Sequence, residues 1–166
     1  MSARKAGAAA KTRLLLGASL VALLVAVFAT LTGITRTEAA SESARASALS
    51  ESPALLEKVL GYNAPTVDED LAAAAAVTTG SFRDSFTDYT TKTVAPQSKK
   101  LGVSTRARVM EIGFLSGADD HVRLLAFVDQ ITTSTAQPAP VATSSRVEVT
   151  VDLVDGQWRI AELTPV

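Results

Sequence analysis

Hydrophobic and polar positions change rhythm twice along this chain. From Leu14 to Ile34 there is no rhythm, only 21 consecutive residues without a charge. As a helix rising about 1.5 Å per residue, that stretch spans roughly 31 Å, the thickness of a bilayer's hydrocarbon core. A buried core helix would show a polar stripe, and a secretory h-region is shorter, about 7–15 residues. The exit "TRTEAASESA" offers small residues, but Arg36 and Glu38 interrupt them. The pattern predicts a retained anchor over 14–34, with a cleaved signal peptide as the alternative.

Helical spacing follows. Leu49, Leu55, Leu56, Val59 and Leu60 mark a helix leaving the membrane, interrupted near Pro53 because proline removes a backbone donor, and ended by Gly61 and Asn63. A second helix is signalled in "TVDEDLAAAAAVTTG". Thr66 and Glu69 have capping-box spacing, Asp68, Glu69 and Asp70 complement the helix dipole, and the alanine run carries on to Gly80. A calcium loop is the other reading of those acids, but the glycine and downstream ligands of an EF-hand are missing. In the third helix Phe82, Phe86, Tyr89 and Thr93 share a face that reads as core. Arg83, Asp84, Asp88 and Lys92 face water, and Pro96 ends or kinks the helix.

After Gly102 the period falls to two. "STRARVMEIGFL", "HVRLLAFVDQITT", "RVEVTVDLV" and "QWRIAEL" predict four strands, and the polar, Pro-interrupted "STAQPAPVATSS" a long mobile loop. Asp155-Gly156 is a strong hairpin signal. A two-residue turn there sets Val154 opposite Gln157, Leu153 opposite Trp158, Val151 opposite Ile160 and Asp152 opposite Arg159. For the first pair, a loop over Gly117–Asp120 sets Ile112 opposite Leu125, Met110 opposite Phe127 and Arg108 opposite Asp129. Both faces of that pair are then apolar: Met110, Ile112, Phe114, Leu125 and Phe127 on one, Val109, Leu115, Leu124, Ala126 and Val128 on the other. One helical layer covers one face, so the second needs a curled sheet, another subunit or a partner.

Charge gives orientation. Arg4, Lys5, Lys11 and Arg13 precede the anchor without an acid among them, which places the first 13 residues in the cytoplasm and the rest outside. Beyond Ile34 there are 12 basic and 17 acidic side chains, a net charge of −5 that offers no basic field for nucleic acid. With no cysteine, the outer domain holds together without disulfides and thiol chemistry is excluded.

Candidate chemistry is sparse. His121 is the only histidine and stands beside Asp119 and Asp120. Adjacent residues of a tight turn rarely converge on one ion, and turns favour Asp in any case. Asp129, in a row with Phe127 and Ile131 under a helix bearing Tyr89, would suit an isomerase-like small-ligand pocket. The simpler reading pairs it with Arg108. No nucleophile–base set can be assembled, so the expectation is a non-enzymatic protein without cofactor or metal.

The segments "LLEKVLGYNAPTVDEDLAAAAAVTTGSFRDSFTDY", "VMEIGF", "VRLLAFVDQITTS" and "VTVDLVDGQWRIAELTPV" together resemble the actinobacterial mammalian-cell-entry (Mce)-associated membrane proteins. That resemblance implies an α+β fold, with helices packed on a curved antiparallel sheet of the nuclear-transport-factor-like, or cystatin-like, kind behind a single N-terminal transmembrane helix. The implied layout is a basic tail over 1–13, the anchor over 14–34, a juxtamembrane stalk and first helix over 35–63, and an extracytoplasmic domain over 64–166. It also implies an accessory role in an Mce-type lipid-import complex, with no catalytic residues to carry over. The topology is similar as well to bitopic assembly factors of type IV secretion systems. A homo-oligomer is a further way to cover the second face.

Overall fold

The computed structural model describes residues 41–166. The tail, the anchor and the start of the stalk lie outside them. Among the described residues no helix is long and apolar enough to cross a membrane.

Helix α1 runs unbroken over 41–60, through Pro53. Proline inside a helix costs about 3 kcal/mol, but burying Leu56 and Val59 returns about 1.5–3 kcal/mol each. Packing therefore overrides the expected interruption. Ala48, Ser52, Leu56 and Val59 form the buried stripe, at spacings of four, four and three.

A 3₁₀ turn (Ala64–Thr66) leads into α2 (Val67–Ala76). The expected capping box is not made, since Thr66 makes no side-chain cap to the α2 backbone. Asp70 closes the turn instead. It accepts from the Asn63 backbone N–H (2.8 Å) and Nδ2 (3.3 Å) and from Thr66 Oγ1 (2.9 Å). The backbone bond above all holds its carboxyl below the ordinary range, against slight desolvation, with the Thr66 and Asn63 side chains assisting. α2 stops at Ala76, before Gly80, because the chain turns to pair with a strand: Ile160 donates to Val77 O and Thr79 donates to Ile160 O. Arg83 does not simply face water, since its Nε donates to Ala75 O (3.1 Å) at the end of α2.

Helix α3 (Gly80–Tyr89) passes through a π-helical turn (Thr90–Val94) into α4 (Ala95–Leu101). Phe82 and Phe86 pack on the core as expected. Tyr89 does not: it is 60% exposed, and Thr90 takes the buried place. Burial continues at Ala95 and Ser98 because the extra residue of the π turn shifts the helical phase. Pro96 comes directly after the π turn, at the second position of α4, so the irregularity expected there is a π turn and the helical run does not end.

The strands β1 (Ser104–Ala118), β2 (His121–Ser134), β3 (Gln137–Val154) and β4 (Gln157–Pro165) form one antiparallel meander in sequence order. The Asp155-Gly156 hairpin has the predicted register, and Val151 and Ile160 are fully buried. The expected loop between the second and third strands is mostly strand. A Thr135–Ala136 turn leads straight into β3, which pairs with β2 from Gln137 onward. β4 reaches only as far as Val147, so Pro138 and Pro140 lie where β3 is an edge, the place a sheet tolerates proline.

The core lies between the helices and one face of the sheet. Val122, Leu124, Ala126 and Val128 of β2 are all within 1% of complete burial. Trp158 lies among them, its Nε1 donating to Ser47 Oγ of α1 (2.9 Å).

Trp158→Ala should therefore cost about 3–5 kcal/mol in urea denaturation of the full chain. Ser52→Ala should be neutral or stabilising in the same assay, because the buried Ser52 hydroxyl has no hydrogen-bond partner. Asp70 should contribute stability at pH values above its unfolded pKa, lost as pH falls through the depressed folded one. Asp70→Asn should flatten that acid limb and lower stability at neutral pH.

Candidate protein-docking face

Successive strand residues point to opposite faces, so burying the even-numbered row of β2 turns the odd-numbered row outward. That row is Arg123, Leu125, Phe127, Asp129 and Ile131, on the face away from the helices. Phe127 is 44% exposed and Ile131 49%.

The β1 register departs from expectation at two bulges. Arg108 pairs with Asp129 as predicted, but Glu111 stands opposite Phe127 and Ile112 opposite Ala126. Met110 and Leu115 are left without partners, between Val109 and Glu111 and between Phe114 and Ser116. Each bulge adds a residue and reverses which side chains face inward. Val109, Ile112 and Phe114 all pack on the core. The two predicted rows are therefore mixed: Ile112 and Phe114 belong with Leu124, Ala126 and Val128. Met110, 53% exposed, joins Phe127 and Ile131 outside.

Asp129 takes a different partner from the one predicted. Ser144 Oγ donates to its Oδ1 (2.6 Å), and no ion pair with Arg108 forms. It lies on the open face, whereas Tyr89 belongs to the helical layer, so the carboxylate and phenol of the isomerase reading are not brought together. The space a ligand would fill between helices and sheet is occupied by Leu56, Leu124, Trp158 and Ile160.

His121 does not converge with Asp119 and Asp120. Its Nδ1 meets Asp152 Oδ1 (2.7 Å) across to β3. That bond, and the Arg159 Nη1 donation to Ala76 O (2.8 Å), replace the expected Asp152–Arg159 pair. Asp119 occupies the two-residue turn at φ 32°, and Gly117 supports it at φ 134°, where a Cβ would collide with the His121 carbonyl. Among the described residues no group of three His, Cys, Asp or Glu side chains could hold a metal ion.

An open depression of about 590 Å³ lies on the exposed face, lined by Met110, Phe127, Asp129, Arg146, Pro165 and Val166. Arg106, Arg108 and Arg146 surround the apolar residues without an ion-pair partner among the described residues. The sequence marked Met110 and Phe127, but Arg146 and Pro165 could only be found once the registers of β3 on β2 and of β4 on β3 were known.

Over 108 residues the chain is 33% identical to an outer membrane protein of Mycobacterium tuberculosis, a match covering 65% of this chain and 67% of that one. The chain belongs to that protein's family. It is also 37% identical over 108 residues to an uncharacterized protein of the same organism, covering 65% of this chain and 49% of the other. The chain thus spans about half the length of that relative. No protein-family profile matches it.

Among solved structures, an IcmL-like type IV secretion system protein from Legionella pneumophila has a TM-score of 0.62 at 10% identity, covering 74% of this chain and 93% of that one. CagV, a VirB8 homolog of the type IV secretion system from Helicobacter pylori, has a TM-score of 0.57 at 15% identity, covering 73% and 98%. At these identities the likeness is one of fold. Helices packed on a four-stranded antiparallel sheet of the nuclear-transport-factor-like kind are what was expected and what is found.

Asp129→Asn should leave the domain folded, its melting temperature within a few degrees of wild type by circular dichroism, because an amide oxygen can still accept from Ser144. A large loss would show that the charge itself holds the face together.

Proposed function

We propose that this chain is a non-enzymatic scaffold of the cell envelope, tethered by the expected single-pass anchor over 14–34, whose outward domain holds a protein partner on the open face of its sheet. The observation that carries the reading is the exposure of Met110 and Phe127 around one depression, with Ile131 exposed beyond Asp129 on the same face. Apolar clusters of this kind, rimmed by polar groups, are a usual mark of an interaction site.

The kind of machine is a finer matter. Type IV secretion components with the same fold support a bitopic assembly factor of an envelope-spanning secretion complex, and the mycobacterial relative named as an outer membrane protein supports an envelope location. A second reading, favoured by the likeness of "LLAFVDQ" and "GQWRIAEL" to Mce-associated proteins, places the same face on a subunit of an Mce-type lipid-import transporter. Neither role needs a nucleophile or a bound cofactor.

Phe127→Glu in the full chain should leave the thermal melt near wild type and reduce copurification of the partner from native membranes about tenfold. Leu124→Glu, at a fully buried position, should instead unfold the domain and lower its abundance. The copurified subunits then tell a secretion machine from a lipid transporter. Undiminished copurification with Phe127→Glu would remove this face from the mechanism.

A further inference from the structure

The edges of this sheet differ in how they are closed. On β1, Thr105 exchanges backbone bonds with Tyr62, and the Val109 N–H donates to Glu57 Oε1 (3.0 Å). On β4, Ile160 bonds to Val77 and Thr79. On β3 the ladder to β4 ends at Val147, and the last bond beyond it runs from the Val166 N–H to Arg146 O (3.1 Å).

That last bond fixes the geometry upstream. In an antiparallel strand the N–H and C=O of one residue point to the same side, and alternate residues share a side. Arg146 faces the β4 side, and pairing with β2 is unbroken from Phe127–Arg146 to Ile131–Ala142. Ser144 and Ala142 therefore turn their N–H and C=O groups toward the side that β4 has vacated. Further upstream the edge is blunted by Pro138 and Pro140 and by irregular pairing between Thr132 and Ser134.

On the docking-face reading above, we infer that the β3 edge at Ala142–Ser144 takes an extended segment of a protein partner by strand addition, in line with the end of β4. The depression lined by Phe127 and Pro165 would take an apolar side chain of that segment, and Arg146 an acidic one. Strand addition draws affinity from main-chain bonds and specificity from pockets for alternate side chains. Arg106, Arg108 and Arg146 have no ion-pair partner among the described residues and outnumber Glu111 and Asp129 on the same face, which favours an acidic complement. A second copy of this chain meets an obstacle in the register that would pair Ala142 with Ser144 across the two-fold. Two-fold antiparallel pairing centred on Thr143 sets Ala142 against the copy's Ser144 and Arg146 against its Pro140, where Val166 already lies.

The test uses the full chain in its native membranes, with a photo-crosslinking amino acid at Ser144. Illumination should give adducts to one partner segment in which apolar and acidic residues alternate. Ala142→Pro removes an outward N–H and no bond to β2, so it should lower the adduct yield at least tenfold with protein level and melting temperature kept. Arg146→Glu, which leaves the backbone untouched, should lower it similarly. Adducts only to lipid or to a second copy, no adducts, or a yield indifferent to both substitutions would overturn strand addition. If Ala142→Pro copurifies with the partner as wild type does while Phe127→Glu does not, the edge is wrong and the face is right.

Discussion

The rest of this domain depends on which row of β2 is buried. Val122, Leu124, Ala126 and Val128 are almost wholly removed from water, and β2 lies between β1 and β3. A one-residue slip would send these four side chains to solvent and bring Arg123 and Asp129 into the core. Each buried Val or Leu contributes about 1.5–3 kcal/mol and burying unpaired charge costs more, so the register is strongly specified. With one face committed to the helices, the other is left for Phe127, Ile131 and the arginines around them. The exposed apolar row is a by-product of the core.

Much of this was legible where local chemistry and tertiary packing agree. Asp155-Gly156 fixed its hairpin, and the same register sets Trp158 on one face with Ile160, both of which are buried. The β1–β2 pair was harder, since no residue type announces the bulges at Met110 and Leu115, and a single bulge exchanges the faces of everything beyond it. Proline misled for more than one reason. Pro53 loses a helix donor that the burial of Leu56 and Val59 offsets, whereas Pro138 and Pro140 lie on the β3 edge, where no ladder donor is needed. The step of burial from Thr90 to Ala95 was hidden by the π turn, whose extra residue is invisible in a pattern counted at a constant period. Tyr89 precedes that turn and yields its place to Thr90, four residues on from Phe86.

The candidate site was less legible than the fold. Asp129 drew notice because acids are rare in apolar rows, yet its partner, Ser144, lies in the stretch that composition marks as loop. Side-chain pairing in a sheet follows registers on both sides of a strand, and only one of the two was predictable here. Asp152 and Arg159 make the same point, since opposite positions on paired strands did not become partners. His121 and the end of α2 offered each a better one.

The Trp158–Ser47 bond joins the last strand to the first described helix, 111 residues apart in sequence. The meander itself is local, each strand pairing with its neighbour in the chain, which favours rapid pairing. α1 cannot share in that economy. In a chain made from the N-terminus, α1 precedes every strand, and its stripe of Ala48, Leu56 and Val59 stays uncovered until the strands that pack on it arrive, with Trp158 of β4 the last of them. For that interval the same stripe is open to a chaperone, to a neighbouring nascent chain or to the membrane surface. The order in which the chain appears, rather than its final stability, thus sets when this domain is most exposed to misassembly.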